Sequence, residues 1–337
     1  MKIIKYLFLI FFLNINAQIA GESVYQFLNI SSSPRQLSLG GKEITYFGSN
    51  VNQPLINPSS INSSMDNIFS INYSNYFSDI SYGTASYSYT FDNRSNTLHF
   101  GISYIDYGDF DGYDEQGNQT NSFTGKESAI STGYSTKLIN LPIFFGANIK
   151  LITSSLEQYN SIGISSDIGL LYINENLDLN IGLVIRNLGF QLKAYADNKE
   201  KLPLTVDLGF SQLLENAPLR WNVTIENIQK WNIGLSNPSR IITDLDGNTT
   251  NEKVTFINNL FRHLIVGAEI FPENFFNIRL GYNFKRGEEL KIIDQSNFSG
   301  LTFGFGMKFN KLQLNYSHAK FSSAANTSLI GMIIDLN

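Results

Sequence analysis

The chain of 337 residues contains no cysteine and only three histidines. The absence of cysteine excludes disulfide frameworks, thiol nucleophiles and cysteine-based metal sites. The histidines, His99, His263 and His318, lie far apart and form no HxxxH or HExxH spacing, so neither a metal site nor a catalytic triad is predicted. No Walker A, GxSxG or dinucleotide-binding glycine motif is present. The sequence therefore predicts a protein that is not an enzyme and that needs no cofactor.

The sequence also lacks long hydrophobic runs and has few charges. No stretch reaches the roughly 18 apolar residues of a transmembrane helix. Yet only 16% of the residues are charged, and the 17 tyrosines and 26 phenylalanines suit a surface in contact with lipid. A membrane protein without such helices must be a β-barrel, the other structure that satisfies its backbone hydrogen bonds internally. The net charge of −5 and the lack of a basic patch argue against nucleic-acid binding.

The first seventeen residues have the pattern of a secretory signal peptide. Two lysines precede a short apolar core over residues 6–13, and the small residue Ala17 follows. This pattern predicts cleavage after Ala17. An N-terminal anchor helix is the alternative, which the shortness of the apolar core disfavours.

From about residue 68 to the C-terminus, apolar and polar residues alternate in segments of about ten residues. Successive side chains of a β-strand point to opposite faces, so the alternation predicts strands with one face in lipid and the other toward a lumen. Leu280 is predicted to face lipid, for example, and Arg279 the lumen. The predicted strands are residues 67–77, 79–92, 95–107, 125–138, 141–154, 159–173, 177–188, 202–214, 217–229, 259–271, 274–286, 297–309, 311–321 and 326–337.

After every second predicted strand the link is a tight turn, and most of the other links are long, although the first link, near Ser78-Asp79, is short and breaks the pattern. One turn is the single residue Asn310, whereas residues 108–124, 189–201 and 230–258 form long loops. Outer-membrane barrels place short turns at the periplasmic rim and long loops at the outer rim. The pattern therefore predicts an all-β fold, a transmembrane antiparallel β-barrel of about 14 strands over residues 67–337, in a bacterial outer membrane. An even number of strands places both termini in the periplasm.

Residues 18–66 precede the first strand and lack this alternation. Side chains fill the interior of barrels of about eight strands, whereas larger barrels enclose an opening. The segment contains apolar residues such as Phe27, Leu37 and Ile44, more than a disordered tail usually carries. We therefore predict that it folds back into the lumen as a plug (hatch). The alternative is a disordered periplasmic tail.

Charged residues at positions predicted to face the lumen carry both signs. A selectivity filter needs a ring of one sign, so the mixed set predicts ion pairs across strands and with the plug. The set consists of Lys150, Asp167, Asp178, Arg186, Asp207, Arg220, Glu226, Glu269, Arg279, Lys285 and Lys308.

Turn-forming residues interrupt the plug segment. Gly40-Gly41 permits a turn of positive φ, and Asn57-Pro58 marks a tight turn. The predicted plug motif consists of Pro34, Arg35, Gly40, Gly41, Asn57 and Pro58. These elements, in this order before a barrel of this length, resemble the PorQ family of the type IX secretion system in Bacteroidetes. The Asn-Pro-small element is also similar to the hatch of the wider FadL-like superfamily, to which PorV and PorQ are similar.

The resemblance implies a barrel without enzymatic activity in an attachment complex of the outer membrane. Its implied partners are a PorZ-like soluble surface protein that it tethers, a PorU-like sortase, a PorV-like barrel and the lipid and lipopolysaccharide of the membrane. The complex processes secreted cargo and anchors it on the surface. The long loops are then the predicted docking surface. The candidate partner-binding residues in or near the longest loop are Ile228, Trp231, Ile233, Ile241, Ile242 and Phe256.

Two other functions are weighed against this one. A FadL-like outer-membrane channel for hydrophobic small molecules is the main alternative. An outer-membrane lipase has little support, because Ser317 and His318 are neighbours on a predicted strand and point to opposite faces.

Overall fold

A computed structural model gives the structure of most of the chain. It describes residues 23–77, 79–91, 96–234, 242–243, 249–250, 254–290, 298–320 and 326–337. The predicted signal peptide with its cleavage site at Ala17 lies outside these residues, as does Ile241 of the candidate docking loop. Of Ile242 only the backbone is described.

Within the described residues, fourteen antiparallel strands close into one barrel. The strands are β1 (Ile68–Phe77), β2 (Ile80–Phe91), β3 (Asn96–Phe110), β4 (Phe123–Lys137), β5 (Ile143–Leu156), β6 (Tyr159–Asn174), β7 (Leu179–Lys193), β8 (Thr205–Leu213), β9 (Leu219–Ile225), β12 (Leu264–Ile270), β13 (Phe276–Asn283), β14 (Leu301–Phe309), β15 (Leu312–Lys320) and β16 (Asn326–Asp335). β1 pairs with β16 to close the barrel. The two-residue strands β10 (Ile242–Thr243) and β11 (Thr249–Thr250) form a separate hairpin between β9 and β12. The predicted fold class is confirmed.

Two predicted strands are partly helical. The prediction of a strand over 259–271 is wrong at its start, where α2 (Phe256–Arg262) precedes β12, and the prediction over 274–286 is wrong at its end, where α3 (Phe284–Glu289) follows β13. Side chains cap both helices: Thr255 accepts a hydrogen bond from the backbone N–H of Asn258, and Asn283 accepts one from that of Arg286. Such caps favour the start of a helix over continued strand.

None of the helices in the described part of the chain is long and apolar enough to span a membrane.

The strands alternate between an outward apolar face and an inward polar face. On β13, burial alternates residue by residue. Arg279 is 1% exposed and points into the lumen, whereas Leu280 is 45% exposed and points outward. The predicted orientation of these two residues is therefore confirmed.

The two rims of the barrel differ. Short turns with a left-handed residue, such as Asn140 and Asn310, lie at one end, which we call the short-turn rim. The start of β1 and the end of β16 lie at the short-turn rim too, since the backbone N–H of Leu336 donates a hydrogen bond to the carbonyl of Asn67. The opposite end is the long-loop rim, although the turn between β5 and β6 at this rim, with left-handed Glu157, is also short. Strands β3 to β7, of 14 to 16 residues, rise higher there than β9, β12 and β13, of 7 or 8 residues.

The N-terminal segment, residues 23–66, passes through the lumen from one rim to the other; we call it the plug. Ser23 forms an isolated β-bridge with Lys201 at the long-loop rim. The segment then runs between the walls and joins β1 at the short-turn rim. Its helix α1 (Pro34–Ser38) contacts β13, β14, β15 and β16, and the turn at residues 58–60 contacts β4, β5 and β6 on another side. The predicted periplasmic position of the N-terminus concerns residues before Ser23, which are not described.

An apolar cluster forms the upper part of the lumen, near the long-loop rim. From the plug it includes Tyr25, Phe27 and Leu28, and from the wall Tyr82 and Ile105. Closer to the short-turn rim the contacts between plug and wall are mainly polar. The lumen therefore has two layers: an upper, apolar layer near the long-loop rim and a lower layer of charged pairs nearer the short-turn rim.

We expect Leu280→Arg to lower the free energy of unfolding from a bilayer by about 2–4 kcal/mol, because an arginine near mid-membrane would face lipid. The matched control is Gln313→Arg, which adds the same charge at an inward position near the short-turn rim. Urea titration of the protein folded into vesicles measures both. Equal losses in the two variants would contradict the described register.

Candidate functional site

The plug motif begins with α1, which a proline starts. Ser33 accepts a hydrogen bond from the backbone N–H of Gln36, and Pro34 occupies the first turn. Proline suits this position because its missing N–H would have no partner inside the helix. The ring of Pro34 packs against β16, where a Cβ atom on Gly331 would lie 2.9 Å from it. The next residue, Arg35, is thereby directed into the lumen.

Arg35 is the centre of a buried ion-pair cluster that joins plug and wall. Its Nη1 lies 2.6 Å from Glu43 of the plug, and its Nη2 lies 2.9 Å from Glu269 of β12. Arg279 of β13 binds the other oxygen of Glu269 at 2.7 Å. The guanidinium of Arg35 also lies over the ring of Tyr46, 4.1 Å from its centroid. We call Arg35, Glu43, Glu269 and Arg279 the Arg35 cluster.

A second ion-pair group holds the plug to another part of the wall. Lys42 lies 3.1 Å from both Asp207 of β8 and Glu226, which follows β9. Lys150 and Asp167 form a third pair at 2.8 Å, between neighbouring strands. These groups correspond to the predicted pairing of mixed charges in the lumen.

Four of the predicted lumen charges are not buried in it. Arg220 is half-buried and lies 3.6 Å from Glu269, and the other three lie at the edge of the lumen or outside it. Asp178 is exposed in a turn, and Lys308 is exposed at the short-turn rim. Lys285 lies in α3 instead of a strand. The alternation of a strand identifies the inward face, but it does not show where along the barrel axis a residue lies. These three residues lie at or beyond the ends of their strands.

The glycine pair of the plug makes a turn against β13 and β14. Gly40 and Gly41 have φ angles of 93° and 109°, a region that favours glycine. The backbone N–H of Gly40 donates a hydrogen bond to Thr302 Oγ1 at 3.0 Å. A Cβ atom on Gly281 of the wall would collide with the backbone of Leu39 and Gly40. The plug backbone therefore lies directly on the wall at this point.

Asn57 organises the second turn of the motif. Its Oδ1 accepts hydrogen bonds from Ser59, from the backbone N–H at 3.1 Å and from Oγ at 2.7 Å. Its Nδ2 donates to the carbonyl of Ile44 at 2.7 Å. The turn presses Pro58 against Gly146 of β5, where a Cβ atom would collide with the proline carbonyl. All six residues of the predicted motif thus lie in the lumen, close to the wall.

Wall glycines are a feature of this site that the sequence analysis missed. Each lies on the inward face of a strand, and a Cβ atom there would collide with the plug. The glycines are Gly101, Gly146, Gly163, Gly169, Gly209, Gly281, Gly304 and Gly331. The signal for them was available: glycine at the inward positions of the alternating pattern often marks the close approach of another backbone.

The space left between plug and wall is small where the upper and lower layers meet. A cavity of about 20 Å³ lies between Leu28, Ile30 and Arg186, enough for about one water molecule. Arg186 is buried, and its Nη2 donates to the carbonyl of Leu28 at 2.8 Å. A larger recess of about 310 Å³, lined by Arg35, Glu269 and Arg279 among others, lies between plug and wall near the short-turn rim.

The three histidines do not converge. His99 is buried on β3, and its Nε2 lies 3.0 Å from the carbonyl of Val51 in the plug. His263 follows α2, and His318 lies on β15 beside Ser328. Over the described ranges, no three His, Asp or Glu side chains are grouped so that they could hold a metal ion.

The candidate docking loop is only partly exposed. Trp231 is 43% exposed and stacks on Phe256 of α2, with ring centroids 4.7 Å apart. Ile228 is also 43% exposed, but Ile233 is only 8% exposed and would contact a partner only after a local rearrangement. Ile242 pairs with Thr250 in the short hairpin.

The other two predicted loops extend the tall side of the barrel. β3 ends at Phe110 and β4 begins at Phe123. The two residues pair, and their rings stack with centroids 5.3 Å apart. Beyond this pair, Tyr113 is 63% exposed. On β7, Phe190 is 58% exposed. This side of the long-loop rim presents aromatic side chains on an ordered scaffold.

We expect Glu269→Ala to destabilise the plug, because it removes one carboxylate that two buried arginines share. Breaking a buried ion pair from one side costs about 3–5 kcal/mol. Glu273→Ala, at an exposed position in the adjacent turn, is the matched control. Single-channel conductance in planar bilayers and urea unfolding measure the effect. The role of the Arg35 cluster would be contradicted if both variants stayed closed and equally stable.

We expect Gly281→Ala to displace the plug, because the new methyl group would overlap its backbone. Overpacking of this kind costs about 1–3 kcal/mol. The control is Gly83→Ala on the outward face, where the nearest atom would be 3.2 Å away. Thermal unfolding in detergent compares the two. If Gly281→Ala is no less stable than Gly83→Ala, the plug does not lie on the wall there.

Comparisons with known proteins agree with this architecture. By sequence, the chain matches no protein-family model and no curated protein. By structure, it is similar to a mutant of the TodX monoaromatic hydrocarbon channel, with a TM-score of 0.54 and 12% identity over 90% of this chain and 97% of that one. The KdgM porin matches 80% of this chain with 99% of its own, at 9% identity and a TM-score of 0.34. The chain therefore has the fold of an outer-membrane β-barrel.

Proposed function

We propose that this protein is a closed outer-membrane barrel that tethers a large soluble partner at its long-loop rim, as a component of a type IX secretion attachment complex. The observation that carries this proposal is the filled lumen. Two ion-pair groups and direct contacts with wall glycines hold the plug. A barrel closed in this way serves better as a membrane anchor than as a diffusion pore.

The geometry of the plug motif supports the family on which the proposal draws. The resemblance to PorQ rests on Pro34-Arg35, Gly40-Gly41 and Asn57-Pro58. Each of these pairs has a defined task between plug and wall: a helix start with an ion pair, a tight turn and an Asn-capped turn. The motif is therefore a set of packing requirements and not an accident of composition.

The tall side of the long-loop rim is the docking surface that we propose. Interfaces depend on a few aromatic anchors, and the loops 108–124 and 189–201 hold such residues on strands that extend beyond the rest of the wall. The loop 230–258, the predicted docking loop, is the third part of the proposed surface. The proposed partners are a PorZ-like surface protein in direct contact, and PorU-like and PorV-like members of the same complex.

Truncation of the β3–β4 hairpin tests the docking surface. Replacing residues 111–122 by Asn-Gly joins Phe110 to Phe123 through a two-residue turn, which their pairing permits. We expect the barrel to stay folded, as heat-modifiable migration in gel electrophoresis would show. Purification from native membranes in mild detergent, with mass spectrometry, should then lose a soluble surface protein that the unmodified chain retains.

A control variant and a second truncation complete this experiment. Glu175→Ser changes an exposed residue at the opposite rim and should leave the partner bound. Removal of residues 236–252 tests the longest loop. If neither truncation alters the proteins recovered, or if no soluble protein is recovered with the unmodified chain, the tethering proposal fails. Impaired uptake of hydrophobic compounds by a deletion strain would then favour the channel.

A further inference from the structure

The wall of the barrel is unusually low where β12 meets its neighbours. β9 and β12 each have 7 residues, and β13 has 8. Seven strand residues extend about 24 Å, and at a tilt of about 45° they rise about 17 Å along the membrane normal. The apolar band of an outer-membrane barrel is about 25 Å tall. Some other element must therefore cover about 8 Å of the band on this side.

Helix α2 lies next to β12 in the chain, on the side where the wall is low. It ends at Arg262, immediately before β12 begins at Leu264, on the side of the long-loop rim. α3 follows β13 directly, and the two helices contact each other. Arg262 joins them through an ion pair with Glu289 at 3.3 Å. A helix has a diameter of about 10 Å with its side chains, close to the missing height.

The polarity of α2 is the reverse of that of a helix on a soluble protein. Its buried side chains are polar: Asn259 is 3% exposed, and Arg262 is fully buried. Asn259 Nδ2 donates to the carbonyl of Trp231, and Arg262 Nε donates to Asn258. Its most exposed side chains are Phe256, Ile257, Leu260 and Phe261. Water would favour the opposite arrangement.

The exposed face of α2 continues the outward face of the barrel without a break. Leu280 and Tyr282 point outward on β13. The ring of Tyr282 packs edge-to-face on Phe284, with centroids 4.9 Å apart, and Phe284 lies 5.6 Å from Phe261 of α2. Aromatic contacts thus lead from the strand surface to the helix. On the other side of α2, Trp231 stacks on Phe256.

We propose that α2 is part of the transmembrane wall and that its apolar face contacts the acyl chains of the outer leaflet. This goes beyond the tethering function and does not depend on it. The continuity of the face with the outward surface of β13 favours lipid over a protein partner. Trp231 then lies at the boundary between lipid and headgroups, where tryptophan is enriched. Phe256 accordingly leaves the candidate docking surface.

Depth-dependent fluorescence quenching tests this proposal. Because the chain has no cysteine, single variants Ile257→Cys and Leu260→Cys can carry an environment-sensitive dye on the full-length protein in phospholipid vesicles. Leu280→Cys is the control for a lipid-facing position, and Gln116→Cys, at an exposed loop position, is the control for water. Each sample is titrated with a nitroxide lipid and, separately, with iodide.

We expect the dyes at positions 257 and 260 to emit at shorter wavelength than the dye at 116. The nitroxide lipid should quench them to an extent comparable with position 280, and iodide should have little effect. Quenching by iodide as strong as at position 116 would show that the face is in water and would overturn the proposal. Protection from both quenchers would show that protein covers the face and would overturn it equally. Using two positions ensures that failure of one variant to fold does not decide the result.

Discussion

The structure depends on the need to fill a lumen that fourteen strands make too wide for side chains alone. A peptide segment inside that lumen brings backbone groups and charges that must find partners there. The Arg35 cluster meets this need with two guanidiniums and two carboxylates in close contact. Its members come from the plug and from two strands, so the cluster holds the plug and the wall in one arrangement.

The contact between plug and wall also requires wall positions without a side chain, where the plug backbone can approach. Glycines at inward positions let the plug backbone approach where any Cβ atom would collide with it. The turns at Gly40-Gly41 and Asn57-Pro58 are the places of closest approach. The plug motif and the wall glycines are therefore two halves of one packing arrangement, and the charges fix its orientation. A plug held in this way supports the role of an anchor.

The wall itself is asymmetric, and the asymmetry separates two kinds of surface. The long strands β3 to β7 carry aromatic side chains beyond the rest of the wall, where a soluble partner has access. The short strands β9, β12 and β13 are completed by helices, and the apolar face of α2 continues the outward face of the barrel. In our proposals, the aromatic side chains of the long-loop rim therefore face two environments. Those on the tall side face a soluble partner, whereas those of α2, beside the short strands, face lipid.

The sequence by itself determined that about fourteen strands form a barrel, which face of a strand points into the lumen, and that one rim has short turns. Side-chain alternation is a local property of a strand, which is why Leu280 and Arg279 were oriented correctly. It also indicated that charges would pair in the lumen. Residues 259–262 of α2 were mistaken for strand and its first turn for loop, although the apolar residues of α2 recur as adjacent pairs four positions apart, the spacing of a helix, after a capping threonine.

Only the tertiary structure decided which groups meet. Arg35 and Glu269 are 234 positions apart in the chain, and no local pattern reports a contact over that separation. The same holds for the match between Pro58 and Gly146, and for the height of the wall at β12, which depends on how neighbouring strands end. Alternation records which way a side chain points, whereas closure of the barrel around the plug sets what lies opposite it.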